Sequence, residues 1–235
     1  MLTFRDATAD QAGLISHIYA TSWRKTYRGH IAQHYLDRLP DEYWVPSIRS
    51  WLSSGQLYGL MVYDDDKPVG CCIYGRGRDE DYGDWCEIVS LYLLPDTMRQ
   101  GIGGKLLEEV IRLMQLDGYE KFYLWAIDGN EIADGFYRKH GFLRTDDVVD
   151  YKIGGEPVRD VRYTRGIRAY YPAHNSAGFG FCRYMPVAIS AVSGAAAAKP
   201  NDPTSVLSSC EATYFRLMMS ISGVPCPAKY ISIDR

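Results

Sequence analysis

The sequence of 235 residues lacks the features that direct a chain into a membrane or onto a nucleic acid. No stretch approaches the roughly 18 consecutive apolar residues that a membrane-spanning helix needs. The N-terminal segment has Thr3, Arg5 and Asp6 where a signal peptide has an apolar core. No basic run is present, and a formal net charge of -3 gives no preference for a polyanion. We therefore expect a cytoplasmic protein with a small-molecule partner and with neither a membrane nor a nucleic-acid partner.

The six cysteines also lack the spacings of metal and redox sites. No CxxC pair occurs and no cysteine pair is combined with a histidine pair, so the sequence supports neither a zinc site nor a redox motif. Cys71, Cys72 and Cys86 lie in apolar runs, where buried free thiols are the ordinary outcome. We expect no bound metal.

A glycine-rich segment, Gly101-Ile102-Gly103-Gly104-Lys105, follows an apolar strand pattern. It is not a P-loop, because Arg99 stands where that motif needs its first glycine and Leu106 where it needs serine or threonine. Leu106 also replaces the third glycine of a dinucleotide fingerprint. What remains is a Gly-x-Gly triplet at a helix start, where unpaired backbone N–H groups can face an anion. The segment predicts a pyrophosphate site, and a plain loop-to-helix joint has the same pattern.

Strand patterns alternate with helix patterns up to about Arg168, which predicts a mixed α/β fold that contains hairpins. The polar turn at residues 64–67 joins the second and third strands as a hairpin. The predicted strands span residues 1–6, 57–63, 68–74, 85–94, 122–126, 143–152 and 158–163.

Helical spacing of apolar residues predicts the main helices. Asp10 is the expected N-cap of the first helix, and Asn130 is the expected N-cap of the last one, which ends at Gly141. Between them, apolar residues at helical spacing predict a helix over residues 102–118 that begins at the glycine-rich segment.

Residues 169–235 differ in composition from the rest of the chain. Four consecutive alanines, several prolines and many serines replace the earlier periodicity, and no second fold can be assigned there. Three interpretations stay open: a disordered extension, an arm that packs on the domain or a partner, or a stretch that was not selected as structure. We therefore predict one domain over residues 1–168 and a C-terminal extension over residues 169–235.

Several motifs in a fixed order carry a family resemblance. They are Glu87-Ile88 through Leu91-Tyr92-Leu93-Leu94-Pro95, then Gln100-Gly101-Ile102-Gly103, then Asn130, and then Phe136-Tyr137-Arg138-Lys139-His140-Gly141-Phe142. Over residues 1–168 they resemble the Gcn5-related N-acetyltransferase (GNAT) superfamily, in particular bacterial members that act on small amines. The resemblance implies a single domain with a mixed, largely antiparallel central sheet flanked by helices. It also implies acetyl-CoA as co-substrate, and because related enzymes often dimerise, a homodimer stays open.

The resemblance assigns cofactor contacts residue by residue. Leu91, Tyr92 and Leu93 match the strand whose backbone pairs with the pantetheine arm. Asn130 matches the side chain that steadies the cofactor near its thioester. Met98 departs from the family pattern, which has Gln or Arg there, but backbone N–H groups supply most contacts of the loop, so binding should survive. The residues that match the pyrophosphate loop are Arg99, Gln100, Gly101, Ile102, Gly103 and Gly104.

Amine acetylation requires a base and an acid, and the sequence offers a candidate for each. An alkylamine has a pKa of about 10, so a base must remove a proton before the nitrogen can attack a thioester. Glu87 lies in an apolar strand and is the candidate base, directly or through water, with Asp128 as a substitute. Tyr137 matches the family's proton donor to the departing thiolate. The rival interpretations are packing for Tyr137 and an ion pair with Arg76 or Arg78 for Glu87.

The acceptor is less well defined by the sequence. Trp125 stands where ribosomal-protein N-terminal acetyltransferases usually have a glutamate, which favours a primary amine of a small molecule. Trp23, Tyr27 and Arg28 either line the acceptor pocket or pack as a helix stripe. The alternatives are a peptide or protein amine acetyltransferase, a non-catalytic acyl-CoA-binding module, and a purely structural protein. Basic and acidic side chains both lie in the expected pocket loops, so the charge of the acceptor stays open: Arg28, Arg76, Arg78, Asp79, Glu80 and Asp81.

Overall fold

The computed structural model describes residues 1–166. The predicted C-terminal extension lies outside the described residues. Seven strands form one sheet, and each agrees with a predicted strand to within a few residues. The strands are β1 (Leu2–Asp6), β2 (Tyr58–Asp64), β3 (Lys67–Arg76), β4 (Cys86–Leu93), β5 (Lys121–Ile127), β6 (Leu143–Ile153) and β7 (Glu156–Gly166). The helices are α1 (Ala12–Thr26), α2 (Gln33–Arg38), α3 (Val45–Ser54), α4 (Ile102–Leu116) and α5 (Glu131–Lys139).

The sheet has the strand order β1-β2-β3-β4-β5-β7-β6. Only β4 and β5 are parallel, and every other neighbouring pair is antiparallel. This arrangement confirms the mixed, largely antiparallel sheet flanked by helices. The β2–β3 hairpin forms at the predicted turn, where Asp65 and Asp66 adopt the positive φ angles that such tight turns require.

The start of α1 differs from the prediction. Asp10 is not an N-cap, because it lies inside a single 3-10 turn, Ala9–Gln11, that precedes the helix. Thr8 begins this turn, and its backbone N–H donates to the side-chain Oε1 of Gln11 at 3.0 Å. The glutamine three residues after a threonine therefore sets the helix start, in the manner of a capping box.

The helices cover both faces of the sheet. On one face α4 packs an aliphatic side, with Leu106, Leu107 and Val110 fully buried. On the other face α1 and α3 pack against the sheet with many aromatic side chains, including Trp23 and Trp51. Among residues 1–166, no helix combines the length and apolar character needed to cross a membrane.

The centre of the sheet is irregular where β4 meets its neighbours. Ile73 of β3 faces Ser90 and Tyr74 faces Ile88, so Val89 is an extra residue that forms a β-bulge in β4. On its other edge β4 pairs with β5 only through Cys86 and Glu87. The two parallel strands therefore separate after Glu87, and this separation leaves an opening in the middle of the sheet.

Candidate active site

The opening between β4 and β5 exposes the backbone edge of one strand. Beyond Glu87, no further residue pair joins these two strands within residues 1–166. Leu91, Tyr92 and Leu93 pair with β3 along one edge of β4. Along the opposite edge these three residues have no strand partner within residues 1–166. An extended ligand with amide groups could pair with such an edge as an added strand, which the pantetheine arm of coenzyme A would do.

The N-terminus of α4 lies at one end of this edge. Gly101 has φ +79° and Arg99 has φ 63°, so the chain enters α4 through left-handed residues. The first-turn N–H groups at residues 102–104 have no acceptor within the helix, because Lys105 donates to the carbonyl of Gly101. These groups and the positive end of the helix dipole fit a pyrophosphate.

One glycine of the segment is set by close packing. A Cβ on Gly104 would lie 2.7 Å from Nε2 of His140, closer than a real Cβ contact, whereas one on Gly103 would make an ordinary contact with Leu93 Cδ1 at 3.4 Å. The missing side chain of Gly104 therefore allows the first turn of α4 to approach α5, and Gly103 lies beside the end of β4. This contact holds the candidate pyrophosphate loop beside the end of the β4 edge.

Helix α5 begins at Asn130 and carries Tyr137. The side chain of Asn130 is buried, and its Oδ1 accepts from the N–H of Ala133 at 3.1 Å, so the predicted N-cap is confirmed. Burial, with smaller contributions from Cys72 and Tyr92, raises the pKa of the Tyr137 phenol. The phenol therefore stays protonated at neutral pH and has a proton to donate.

Glu87 makes the ion pair with Arg78 that the sequence left open. Arg78 Nη2 donates to Oε1 at 2.5 Å, and Arg78 Nε donates to Oε2 at 2.8 Å. The backbone N–H of Arg78 and the Tyr123 hydroxyl donate to Oε2 as well, at 3.3 and 3.0 Å. The carboxylate is buried, and the guanidinium compensates its charge.

A cavity of about 70 Å³, here called the inner cavity, lies where β4 and β5 separate, on the α1 side of the sheet. Its walls combine aromatic rings with two buried carboxylates. The residues that line it include Trp23, Tyr27, Glu87, Tyr92, Tyr151 and Asp160.

Sequence reasoning missed Asp160, the second carboxylate of the inner cavity. Asp160 lies in the middle of β7 and is buried, and the Tyr151 hydroxyl donates to its Oδ1 at 3.0 Å. Burial raises the pKa of Asp160 to about 7. One signal was present in the sequence: Asp160 shares its strand face with Val158, so the alternation of β7 places an acid at an inward position.

A wider cavity of about 580 Å³, here called the outer groove, adjoins the inner cavity, and Trp125 and Val149 line both. Arg162 lies across it, with its guanidinium 3.8 Å from the ring centre of Tyr82 and in ion pairs with Asp79 and Asp147. The groove is lined by Asp79, Asp81, Tyr82, Trp85, Asp147 and Arg162.

The other candidate residues divide between the site and the surface. Trp23 and Tyr27 line the inner cavity and also pack in the aromatic core. Arg28 is exposed, and its Nε donates to the carbonyl of Arg24 at 3.0 Å. Asp128 pairs with Arg144 at 2.9 Å and does not line either cavity. The structure therefore does not bring Arg28 and Asp128 to the site.

Known proteins resemble this chain in sequence and in fold. The model of the acetyltransferase (GNAT) family matches residues 16–142. The uncharacterized N-acetyltransferase YuaI of Bacillus subtilis is 30% identical over 163 residues, which are 68% of this chain and 91% of that protein. N-alpha-acetyltransferase 50 of Danio rerio is 31% identical over 110 residues, which are 46% of this chain and 63% of that protein.

A solved structure shows the same fold. The PaiA N-acetyltransferase of Thermoplasma acidophilum, crystallised in complex with coenzyme A, superposes with a TM-score of 0.56 at 20% identity, over 71% of this chain and 99% of that one. The family model spans more than half of the chain and includes the β4 edge and the start of α4. The chain therefore belongs to the acetyltransferase (GNAT) family and is an acetyl-CoA-dependent N-acetyltransferase.

Proposed function

We propose that this enzyme acetylates a primary amine of a small molecule by direct transfer within the inner cavity. The observation that carries the proposal is the position of that cavity, where the free edge of β4 ends at two buried carboxylates. Acetyl-CoA supplies the acetyl thioester. Leu91, Tyr92 and Leu93 would hold the pantetheine arm through their backbone, and the first turn of α4 would hold the pyrophosphate.

Further side chains complete the cofactor site. Oδ1 of Asn130 is engaged as a helix cap, so its amide N–H groups are left to donate to the cofactor. Arg99 and Gln100 precede the helix and add polar groups at its positive end, where an anion is stabilised. Backbone groups make most of these contacts, so Met98 does not prevent them.

The chemistry requires two proton transfers. A carboxylate of the inner cavity takes a proton from the amine, and Glu87 and Asp160 are the two that reach it. Tyr137 gives a proton to the departing thiolate, because its buried phenol is protonated at neutral pH. The aromatic walls exclude bulk water and so protect the thioester from hydrolysis.

Thiol release from acetyl-CoA across a panel of small primary amines tests this proposal. We expect turnover of at least one amine by the wild type. Tyr137→Phe should lower kcat about 100-fold, the effect typical of a lost general acid, and should leave coenzyme A binding unchanged by calorimetry. Tyr58→Phe is the matched control, because Tyr58 is half exposed on β2. Wild-type rates in Tyr137→Phe would remove the assigned role.

The charge of the outer groove favours a cationic group on the acceptor. Asp79 and Asp147 are neutralised in part by Arg162, and Asp81 adds a further negative charge. The arginines that the sequence offered for an anion bind the chain itself: Arg76 donates to the carbonyl of Gly83 and Arg78 to Glu87. A diamine should therefore have a higher kcat/KM than an amino acid of equal length.

The alternatives predict different outcomes of the same assay. A non-catalytic acyl-CoA-binding module binds coenzyme A tightly and turns over none of the amines. A peptide amine acetyltransferase prefers short peptides with a free N-terminus, a substrate class that the name of the zebrafish relative suggests for that protein. The breadth of the outer groove is the observation that favours peptides, so the panel should include them.

A further inference from the structure

We infer that Asp160, and not Glu87, is the catalytic base that takes the proton from the acceptor amine. This inference rests on the proposed function and specifies its first step. It follows from the different surroundings of two carboxylates that line the same cavity.

The position of Asp160 places its side chain at the acceptor side of the opening. In the sheet register Asp160 faces Ile127 of β5 on one side and Val149 of β6 on the other, and all three line the inner cavity. The residue is 4% exposed, which excludes bulk water from the carboxylate. An amine nitrogen inside a cavity of about 70 Å³ is therefore within reach of this group.

Glu87 is poorly suited to accept a proton. Both of its oxygens accept from the guanidinium of Arg78, and Oε2 also accepts from Tyr123. Protonating this carboxylate would break a buried ion pair and leave the Arg78 charge uncompensated, which is strongly unfavourable. Glu87 is thus a structural partner of Arg78, and this pair holds the segment between β3 and β4 against the cavity.

Asp160 has the surroundings that a base requires. Its hydrogen-bond donor is the neutral hydroxyl of Tyr151, and no cation forms an ion pair with it within residues 1–166. Burial is the main reason that its pKa is raised to about 7, and the Tyr151 hydrogen bond lowers the pKa in part. The titratable and charged groups that line the cavity with it are Arg78, Tyr27 just after the last residue of α1, Glu87 and Tyr92 of β4, and Tyr151 of β6.

The proton balance of the reaction is complete with this assignment. The substrate ammonium loses one proton to the Asp160 carboxylate, and its lone pair then forms the C–N bond to the acetyl carbon. The C–S bond breaks with its electron pair on sulfur. The second amine proton leaves the nitrogen to solvent as the amide forms, and Tyr137 donates a proton to the thiolate and is reprotonated from solvent. Asp160 finally releases its proton to water, so no oxidant, reductant or metal is consumed.

The test compares Asp160→Asn with Asp150→Asn, a matched change at an exposed carboxylate of β6. For the wild type we expect log kcat/KM to fall with decreasing pH below about 7, where Asp160 becomes protonated. Asp160→Asn should lower kcat/KM at least 100-fold and abolish this acidic limb, whereas coenzyme A binding by calorimetry should be unchanged. Asp150→Asn should retain the limb and the rate.

Two further measurements keep the inference falsifiable. Tyr151→Phe removes the hydrogen bond that lowers the pKa of Asp160, so the acidic limb should move to higher pH. The carboxyl ¹³C signal of Asp160 in the enzyme without substrate should titrate near pH 7, and titration near pH 4 would overturn the inference without any activity measurement.

The outcomes separate this inference from the proposed function. Wild-type turnover with an unaltered acidic limb in Asp160→Asn overturns the role of Asp160 and leaves the acetyltransferase proposal intact. If, in addition, Glu87→Gln lost the acidic limb, Glu87 would be the catalytic base. Failure of the wild type on every amine overturns the small-amine proposal and this inference together.

Discussion

The two faces of the sheet are built from different side chains. On the α4 face Leu106, Leu107 and Val110 pack with phenylalanine and tyrosine rings, and no buried member of that cluster within residues 1–166 is charged. The α1 face contains tryptophan and tyrosine rings and buries Glu87 and Asp160 beside them. Burying a carboxylate costs free energy unless it is compensated. Arg78 compensates Glu87, whereas no cation pairs with Asp160 within residues 1–166, so the burial of Asp160 indicates a role other than stability. The difference teaches that the α4 face supplies apolar packing, with the Tyr137 phenol beside it, and that the buried carboxylates lie on the α1 face.

Breaking the ion pair of the α1 face should have the largest effect on stability. Arg78→Met leaves the Glu87 carboxylate buried without its cation, because the two side chains are only 16% and 5% exposed. We expect the free energy of unfolding to fall by about 3–5 kcal/mol. Denaturation in urea measures the change.

A double substitution is the control for this prediction. Arg78→Met combined with Glu87→Gln removes both charges and should recover most of the lost stability, because no uncompensated charge remains. If the free energy of unfolding of the double variant fell by the sum of the losses in the two single variants, the two charges would not stabilise each other.

Creating a cavity on the α4 face should lower the free energy of unfolding nearly as much. It should not alter the rate of acetyl transfer or its pH dependence. Leu106→Ala removes a fully buried side chain and should lower the free energy of unfolding by about 2–5 kcal/mol. The kcat/KM of the folded variant and the pH of its acidic limb should stay at wild-type values. A changed pH profile would show that the two faces are not independent.

The pH dependence of stability should come from the α1 face. Since burial raises the pKa of Asp160 to about 7, the folded state holds this proton more tightly than the unfolded chain. The stabilisation of the folded state that comes from the protonated Asp160 is fully present below about pH 4, and it is lost as the pH rises through 7. Asp160→Asn should remove this loss and be more stable than the wild type at pH 8 by about 1–4 kcal/mol. Asp150→Asn should keep the wild-type slope in urea denaturation between pH 5 and 8.

Sequence reasoning predicted the α4 face better than the α1 face. Regular spacing of apolar residues located α4 and the strands under it, and the glycines marked the helix start. The sequence predicts Asp10 as the cap of the first helix, whereas Thr8 caps the 3-10 turn that leads into α1, because both residue types cap helices and only the fold decides between them. Asp160 was missed because a single acid in a strand has no motif, and its burial depends on partners in β5 and β6 that lie far away in sequence.

Substitution of Asn130 should have the smallest effect on the free energy of unfolding. It also allows stability to be separated from cofactor binding. Its Oδ1 caps α5, so Asn130→Ala should lower the free energy of unfolding by about 1 kcal/mol. Asn130→Asp keeps the capping oxygen and should cost little stability, but it lacks the amide N–H groups. Both variants should weaken coenzyme A binding in calorimetry if the amide contacts the cofactor. Wild-type affinity in Asn130→Asp would reduce Asn130 to a helix cap, and the cofactor would then be held by β4 and α4 alone.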